Sequence, residues 1–317
     1  MRLKPILVVA ATIAVLWLLF RQIPLAEVTA LFRRARWELL VAAAAAAALQ
    51  PFLSALRWRT MLNLLEQAVP LRVAFNLIMA AWPVSSVTPS KSGDLIKAYY
   101  LKDRVPPGLT LGTVLVERAI DILVLLALST AGAAVFHWGR ITLISGALLI
   151  AALAGLTLLV ATGDRWPLPR RVRPLAADLL RVFRELLAAP AALAVVLAFS
   201  AGKWLAAIVQ TYLCFLALNH SVSLAQTAGA LPLAIFVGLI PVTISGIGTR
   251  DGALVLLFRG HAPAEVALGV GLLYTLFAYW LPALAGFPFL KSALPGGRRE
   301  LHEAERQVRG EQHAPEA

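Results

Sequence analysis

The chain has 317 residues, 60% of them hydrophobic, a mean hydropathy of +0.78 and a formal net charge of +12. A soluble globular domain is about half apolar, so this balance excludes one, and with it nucleic-acid binding, for which no soluble basic domain is present. Apolar runs of about 17–25 residues recur and predict an all-α, polytopic helical membrane protein, its positive charge read first as positive-inside bias and second as attraction to anionic lipid.

Arg2 and Lys4 precede an apolar run from Pro5 to Phe20. No small-residue cleavage site follows, which reads as an uncleaved first span with the N-terminus inside. Arg33, Arg34, Arg36 and Trp37 predict an interfacial helix within residues 21–37. A second span runs from Glu38 to Leu56, where the alanines from Ala42 to Ala48 let another helix pack closely. Arg57-Trp58-Arg59 then reads as an inner-interface anchor, with a pocket-facing Arg57 as the alternative.

Residues 70–90 are apolar but interrupted by Arg72, Asn76, Pro83 and Pro89, and lead into Lys91, Asp94, Lys97, Lys102 and Arg104. Basic flanks at both ends predict an element that enters from the cytoplasm and returns to it. The span from Pro107 to Phe136 holds Glu117, Arg118 and Asp121. Positions four apart share a helix face, so Glu117 and Asp121 lie together with Arg118 beside them. Such charges in an apolar helix need partners from another helix; they form either a structural ion network or, as favoured here by the nearby Ser92-Gly93-Asp94, the lining of a site.

His137 to Arg140 makes an outside turn and Ile141–Thr162 returns. Residues 163–190 carry Arg165, Arg170, Arg171, Arg173, Arg181 and Arg184 and are therefore cytoplasmic, with an amphipathic helix from Leu175 to Ala188 along the inner leaflet. Pro190–Leu218 spans outward and includes Lys203, Gln210 and the single cysteine, Cys214, so neither an intrachain disulfide nor a Cys-based metal site is expected. Leu224–Phe258 is a second broken element, Val266–Leu290 the last span, and the charged residues from Lys291 a disordered tail.

Two stretches cannot be plain transmembrane helices. In residues 240–252, Gly246, Gly248 and Gly252 weaken helix propensity, Pro241 removes a backbone donor, and Arg250 and Asp251 stand between apolar runs. Residues 82–94 read alike: both stretches have Pro-Val near the start, pass through Ser and Thr, and reach a glycine with a basic residue and an Asp close by. Irregular backbone at membrane depth is tolerated where protein buries it or a wet cavity lies beside it. Paired Gly/Pro-interrupted segments in two halves point to a transporter site. Charge placement makes the first enter from the cytoplasm and the second from outside. The expected architecture is about six full spans plus two broken, re-entrant elements in an inverted repeat, with both termini cytoplasmic. Its parts are a transmembrane domain over 1–290 and a tail over 291–317.

Pro83 to Leu101, then Glu117-Arg118, then Pro241 through Gly246-Ile247-Gly248-Thr249-Arg250-Asp251 occur in that order. With these motifs the chain resembles the lysylphosphatidylglycerol synthase transmembrane-domain family, also called flippase-like membrane proteins, over all but its tail. The resemblance implies the movement or presentation of a lipid with a charged head group. It also implies a site lined by Gly93, Asp94 and Lys97, by Glu117 and Arg118, and by Gly248, Arg250 and Asp251. The last acidic position is commonly Glu in that family; the shorter Asp251 weakens an ion-pair role there. Residues 291–317 are too few for the soluble aminoacyl-transferase domain of some members, so aminoacylation by this chain alone is not expected.

Together these readings predict a plasma-membrane transporter of a phosphate-bearing phospholipid, or of an isoprenoid or hopanoid-pathway lipid. Its substrate-binding candidates are Lys91, Gly93, Asp94, Lys97, Glu117, Arg118, Asp121, Gly246, Gly248, Arg250 and Asp251. Lys91, Arg250 and the N–H groups of the broken helix ends would hold the phosphate, and the carboxylates would balance them. No Gly-x-x-x-x-Gly-Lys-Ser/Thr loop occurs, so movement is passive or driven by an ion gradient. No catalytic residue, metal or cofactor is predicted. Two alternatives stand beside this reading. One is a membrane-embedded transferase with Asp94 or Glu117 as general base; the other is a scaffold whose partner is a lipid-pathway enzyme. The transporter reading predicts that Arg250→Ala abolishes function and leaves insertion intact.

Overall fold

The computed structural model describes residues 12–19, 21, 23, 25–88, 93–94, 96–167, 169–170, 172–240 and 242–293. The calls on residues 1–11, on Lys91 and on the tail beyond 293 lie outside them. Among the described residues the secondary structure is helical, without strands. The elements are α1 (residues 12–19), α2 (Leu25–Arg33), α3 (Trp37–Leu64), α4 (Leu71–Val87), α5 (Ile96–Leu101), α6 (Pro107–Val135) and α7 (Gly139–Thr162). They continue with α8 (Arg173–Ala188), α9 (Pro190–Ala217), α10 (Leu224–Gly238), α11 (Thr249–Leu257), α12 (Ala264–Thr275) and α13 (Leu281–Ala293).

Local chemistry accounts for several boundaries. Pro107 and Pro190 stand in the first turns of α6 and α9, where a missing N–H is harmless. Ser223 and Gln226 form a reciprocal capping box that starts α10. The stretches Trp37–Leu64, Gly139–Arg165, Pro190–Ala217 and Ala264–Leu290 are each long and apolar enough to cross a membrane. The 29-residue α6 has the length as well, and turns its Glu117 and Asp121 inward. The chain is an all-α polytopic membrane protein.

α3 runs on to Leu64, past the boundary expected at Leu56, which carries Arg57 into the helix body. The alanine run packs inward: Ala43 and Ala47 are buried in the same apolar core as Ala207 and Ile208 of α9. α6 and α10 touch backbone to backbone, since a Cβ on Gly132 would lie 2.4 Å from the Gly229 nitrogen. α7 stands at the edge with only Ser145 buried, and exposes Leu143, Ile144 and Ile150 as a lipid-facing helix does. α8 is docked by Val182, Phe183 and Leu186 into the same core as α6, and its Arg184 pairs with Asp164.

Both interrupted elements break beside the serines and glycines expected to break them, whereas Pro83 stays inside α4 and Pro89 and Pro241 lie outside the described residues. α4 stops at Val87. Between α10 and α11 the backbone turns through Ser245, Gly246 and Gly248 with φ of 51°, 75° and 89°, a conformation that glycine adopts freely and serine tolerates only under constraint. The constraint is visible: Ser245 Oγ donates to the Ser86 carbonyl at 2.8 Å. The two breaks therefore meet. A third irregularity joins them, for Leu276–Trp280 between α12 and α13 is a π-helical turn. Its Ala278 and Tyr279 carbonyls accept from Trp82 Nε1 and Ser86 Oγ, each at 3.2 Å.

A charged cavity between the broken elements

Each wall of the cavity comes from polar residues repeated at helical spacing. Gln50, Ser54 and Arg57 lie on one face of α3, and Glu117 and Asp121 on one face of α6. α9 adds Lys203 and Trp204, and the first break adds Ser85, Ser86, Asp94 and Lys97. Trp82 and Tyr279 close it where α4 meets the π turn. The enclosed volume is about 50 Å³, room for one or two water-sized groups.

Arg57 is the centre, 3% exposed. It donates through Nε and Nη2 to Glu117 Oε1 at 3.2 and 3.1 Å, and through Nη1 to Asp121 Oδ1 at 2.6 Å and Ser200 Oγ at 3.0 Å. Glu117 also accepts from Lys97 Nζ at 3.2 Å. Asp121 also accepts from Lys203 Nζ at 2.6 and 2.7 Å and from Trp204 Nε1 at 3.0 Å. Lys97 and Lys203 lie 5.0 and 4.4 Å from the Trp58 and Trp204 ring centres, so each buried ammonium gains a cation–π contact. At the more open end Arg118 pairs with Asp94, their side chains 30% and 15% exposed. Arg57, Lys97, Arg118 and Lys203 face Asp94, Glu117 and Asp121. Each cation has a carboxylate partner, and among the described lining residues four cations against three carboxylates give an excess of one formal positive charge.

The interface-anchor reading of Arg57 is thus corrected. Its helix continues to Leu64, and its fork bridges two buried carboxylates. Lys203, Gln50 and Ser54 also belong to the site without having been candidates. The signal available in the sequence was their spacing, at which Gln50, Ser54 and Arg57 share one helix face. Gln50 extends the polar seam by donating to Gln210 Oε1 at 3.0 Å.

Of the candidates, Asp94, Lys97, Glu117, Arg118 and Asp121 are brought together in this one cavity. Gly93 makes this arrangement fit: a Cβ there would lie 2.3 Å from the Ser85 nitrogen, and Asp94 next to it accepts from Ser85 Oγ at 3.0 Å. Gly93→Val is expected to push Asp94 away from Arg118 and Ser85, raising the reactivity of Arg118 toward an arginine-selective reagent in the purified protein. Unchanged reactivity in folded Gly93→Val would contradict this packing.

The remaining candidates form a separate cluster at the start of α11. Arg250 is 1% exposed and Asp251 0%. Arg250 donates to Asp251 Oδ1 through Nε and Nη2 at 3.1 and 2.6 Å, and through Nη2 also to Gly271 O at 3.2 Å and Thr275 Oγ1 at 2.5 Å. Asp251 Oδ2 accepts from the Gly248 N–H at 2.9 Å, a negative charge at a helix N-terminus. Tyr274 and Tyr279 lie 4.7 and 5.6 Å from the guanidinium carbon. Tyr279 is the wall shared with the charged cavity; Gly246, Gly248, Arg250 and Asp251 do not line it. Among the described residues no group of His, Cys, Asp and Glu is arranged to hold a metal ion.

Compared with known proteins, residues 5–286 match the family described as the lysylphosphatidylglycerol synthase TM region. A UPF0104 membrane protein of Methanocaldococcus jannaschii is 25% identical over 264 residues, 73% of this chain and 77% of that one. Another, of Methanothermobacter thermautotrophicus, is 24% identical over 276 residues, covering 75% and 81%.

Proposed function

Since the chain belongs to the lysylphosphatidylglycerol synthase TM region family, we propose that its charged cavity receives the anionic, phosphate-bearing head group of a membrane lipid and carries it across the bilayer. The observation that carries this reading is the excess of basic over acidic side chains lining a buried cavity. Buried charge is expensive in a membrane and is a weak source of stability, so a cluster of seven charged groups calls for a ligand. A phosphate supplies the missing negative charge and accepts from Lys and Arg together. About 50 Å³ is too small for a head group with its glycerol. Entry therefore parts Arg118 from Asp94, the most exposed pair of the network, and frees Arg118 to follow the phosphate inward.

The two broken elements act as an inverted repeat in this proposal, with Gln50 and Gln210 continuing the polar path between α3 and α9. The protein sits in the plasma membrane with both termini cytoplasmic, as the arginines of residues 163–190 suggest.

Lys203→Gln tests the reading because it removes one cation and leaves three against three. In proteoliposomes, the transbilayer movement of a fluorescent phosphatidylglycerol is expected to fall about tenfold, as is enrichment of anionic lipid on the purified protein. Losing one charge-assisted hydrogen bond is enough for that factor. Full movement in folded Lys203→Gln would overturn the assignment.

A further inference from the structure

A second cavity of about 450 Å³ lies beside the π turn, walled by Leu16, Phe32, Ile247, Leu272, Leu276 and Trp280 among others, and shares no lining residue with the charged cavity. Its polar wall groups are the indole of Trp280, at the open side, and Thr275, whose hydroxyl is occupied by Arg250 and by the Gly271 carbonyl. The rest of the wall is apolar. Leu276 and Trp280 are 36% and 56% exposed and mark its open side, toward the surface of a membrane-embedded helix. We propose that this cavity is a binding site for one hydrocarbon chain of a bilayer phospholipid.

Size and chemistry select that occupant. An apolar cavity of about 150 Å³ stays dry and takes up benzene, with its six carbons; on that scale three times the volume receives about 18 carbons, the length of one acyl chain. A long polyprenyl chain would leave most of itself outside. A peptide segment would bring backbone groups that this wall cannot satisfy. The two cavities share no lining residue, and the lipid held here is assigned as a different molecule from the one whose head group enters there. This site does not depend on the proposed translocation.

The probe is a phosphatidylcholine with a diazirine near the end of one acyl chain, added in trace to phosphatidylethanolamine–phosphatidylglycerol vesicles containing the full chain. After illumination, labelled peptides are mapped by mass spectrometry. Label is expected to concentrate on the peptide holding Leu272–Trp280, well above the lipid-facing α7. Leu272→Trp, which fills the cavity, should lower it about tenfold with α7 labelling unchanged. Leu276→Trp, at the open side, serves if the first variant does not fold. Lys203→Gln should leave the label in place even where it abolishes head-group binding.

Labelling no higher than on α7 would mean ordinary bilayer contact and overturn the site. Loss of the label in Lys203→Gln would make both cavities one lipid's site and overturn the separation. Label that appears only when the protein is diluted into excess lipid would mean that a second copy covers the cavity.

Discussion

Arg57→Ala is expected to lose folded protein before it loses activity. The substitution removes four hydrogen bonds from a side chain 3% exposed and leaves Glu117 and Asp121 facing each other across an empty centre. Breaking a buried ion pair by removing one partner costs about 3–5 kcal/mol. Lys97, Lys203 and Arg118 remain nearby and hold the loss toward the lower end. The unfolding midpoint of the detergent-purified protein, followed by tryptophan fluorescence, should fall clearly in Arg57→Ala and less in Arg57→Lys. The lysine keeps the charge, but its single ammonium cannot reproduce the fork between two carboxylates. Equal stability of the two variants would mean that charge alone matters and that the bridging geometry is incidental.

Arg250→Ala should show a comparable loss for a different reason. Its partner Asp251 is wholly buried and also fixes the start of α11 through the Gly248 N–H. Without the guanidinium that carboxylate is left without its cation, at a cost again of about 3–5 kcal/mol. The double variant Arg250→Ala/Asp251→Ala removes the stranded charge as well. Its loss of unfolding free energy should therefore be smaller than the sum of the two single losses, by a coupling of about 0.5–3 kcal/mol. Additive losses would mean that the two residues act separately. On this geometry Arg250 joins α11 to α12, so the expectation that Arg250→Ala spares the fold gives way to one in which stability falls first.

The architecture could be read because membrane spans are long apolar segments and because backbone polar groups must be satisfied inside hydrocarbon. That reasoning located α6, α7, α9 and both interruptions close to their observed bounds. It also singled out Glu117, Arg118 and Asp121, since three charges inside an apolar helix have no surface explanation. It misplaced Arg57 because Arg-Trp-Arg after an apolar run looks the same whether the helix stops there or continues. It passed over Lys203 and Gln50 because a single polar residue in a span stands out only when its helical face is compared with that of the neighbouring helix. The two charge clusters were taken as one site for a related reason. Similar motifs suggest similar roles, whereas the side-chain geometry gives the first cluster a cavity and the second a joint.

The contacts among the three irregular segments carry a mechanical consequence. Ser245 of the second break holds a carbonyl at the end of α4, and α4 in turn holds the π turn through Trp82 and Ser86. A π turn widens the helix and leaves carbonyls without their usual partners, and here α4 supplies side chains to two of them. The three segments are geared in series. If α4 slides, it either drags both neighbours or releases two carbonyls and a hydroxyl at once. The end of α4 lines the charged cavity, and the π turn contributes Tyr279 to that cavity and Leu276 and Trp280 to the apolar one, so a movement that widens one chamber is transmitted to the wall of the other.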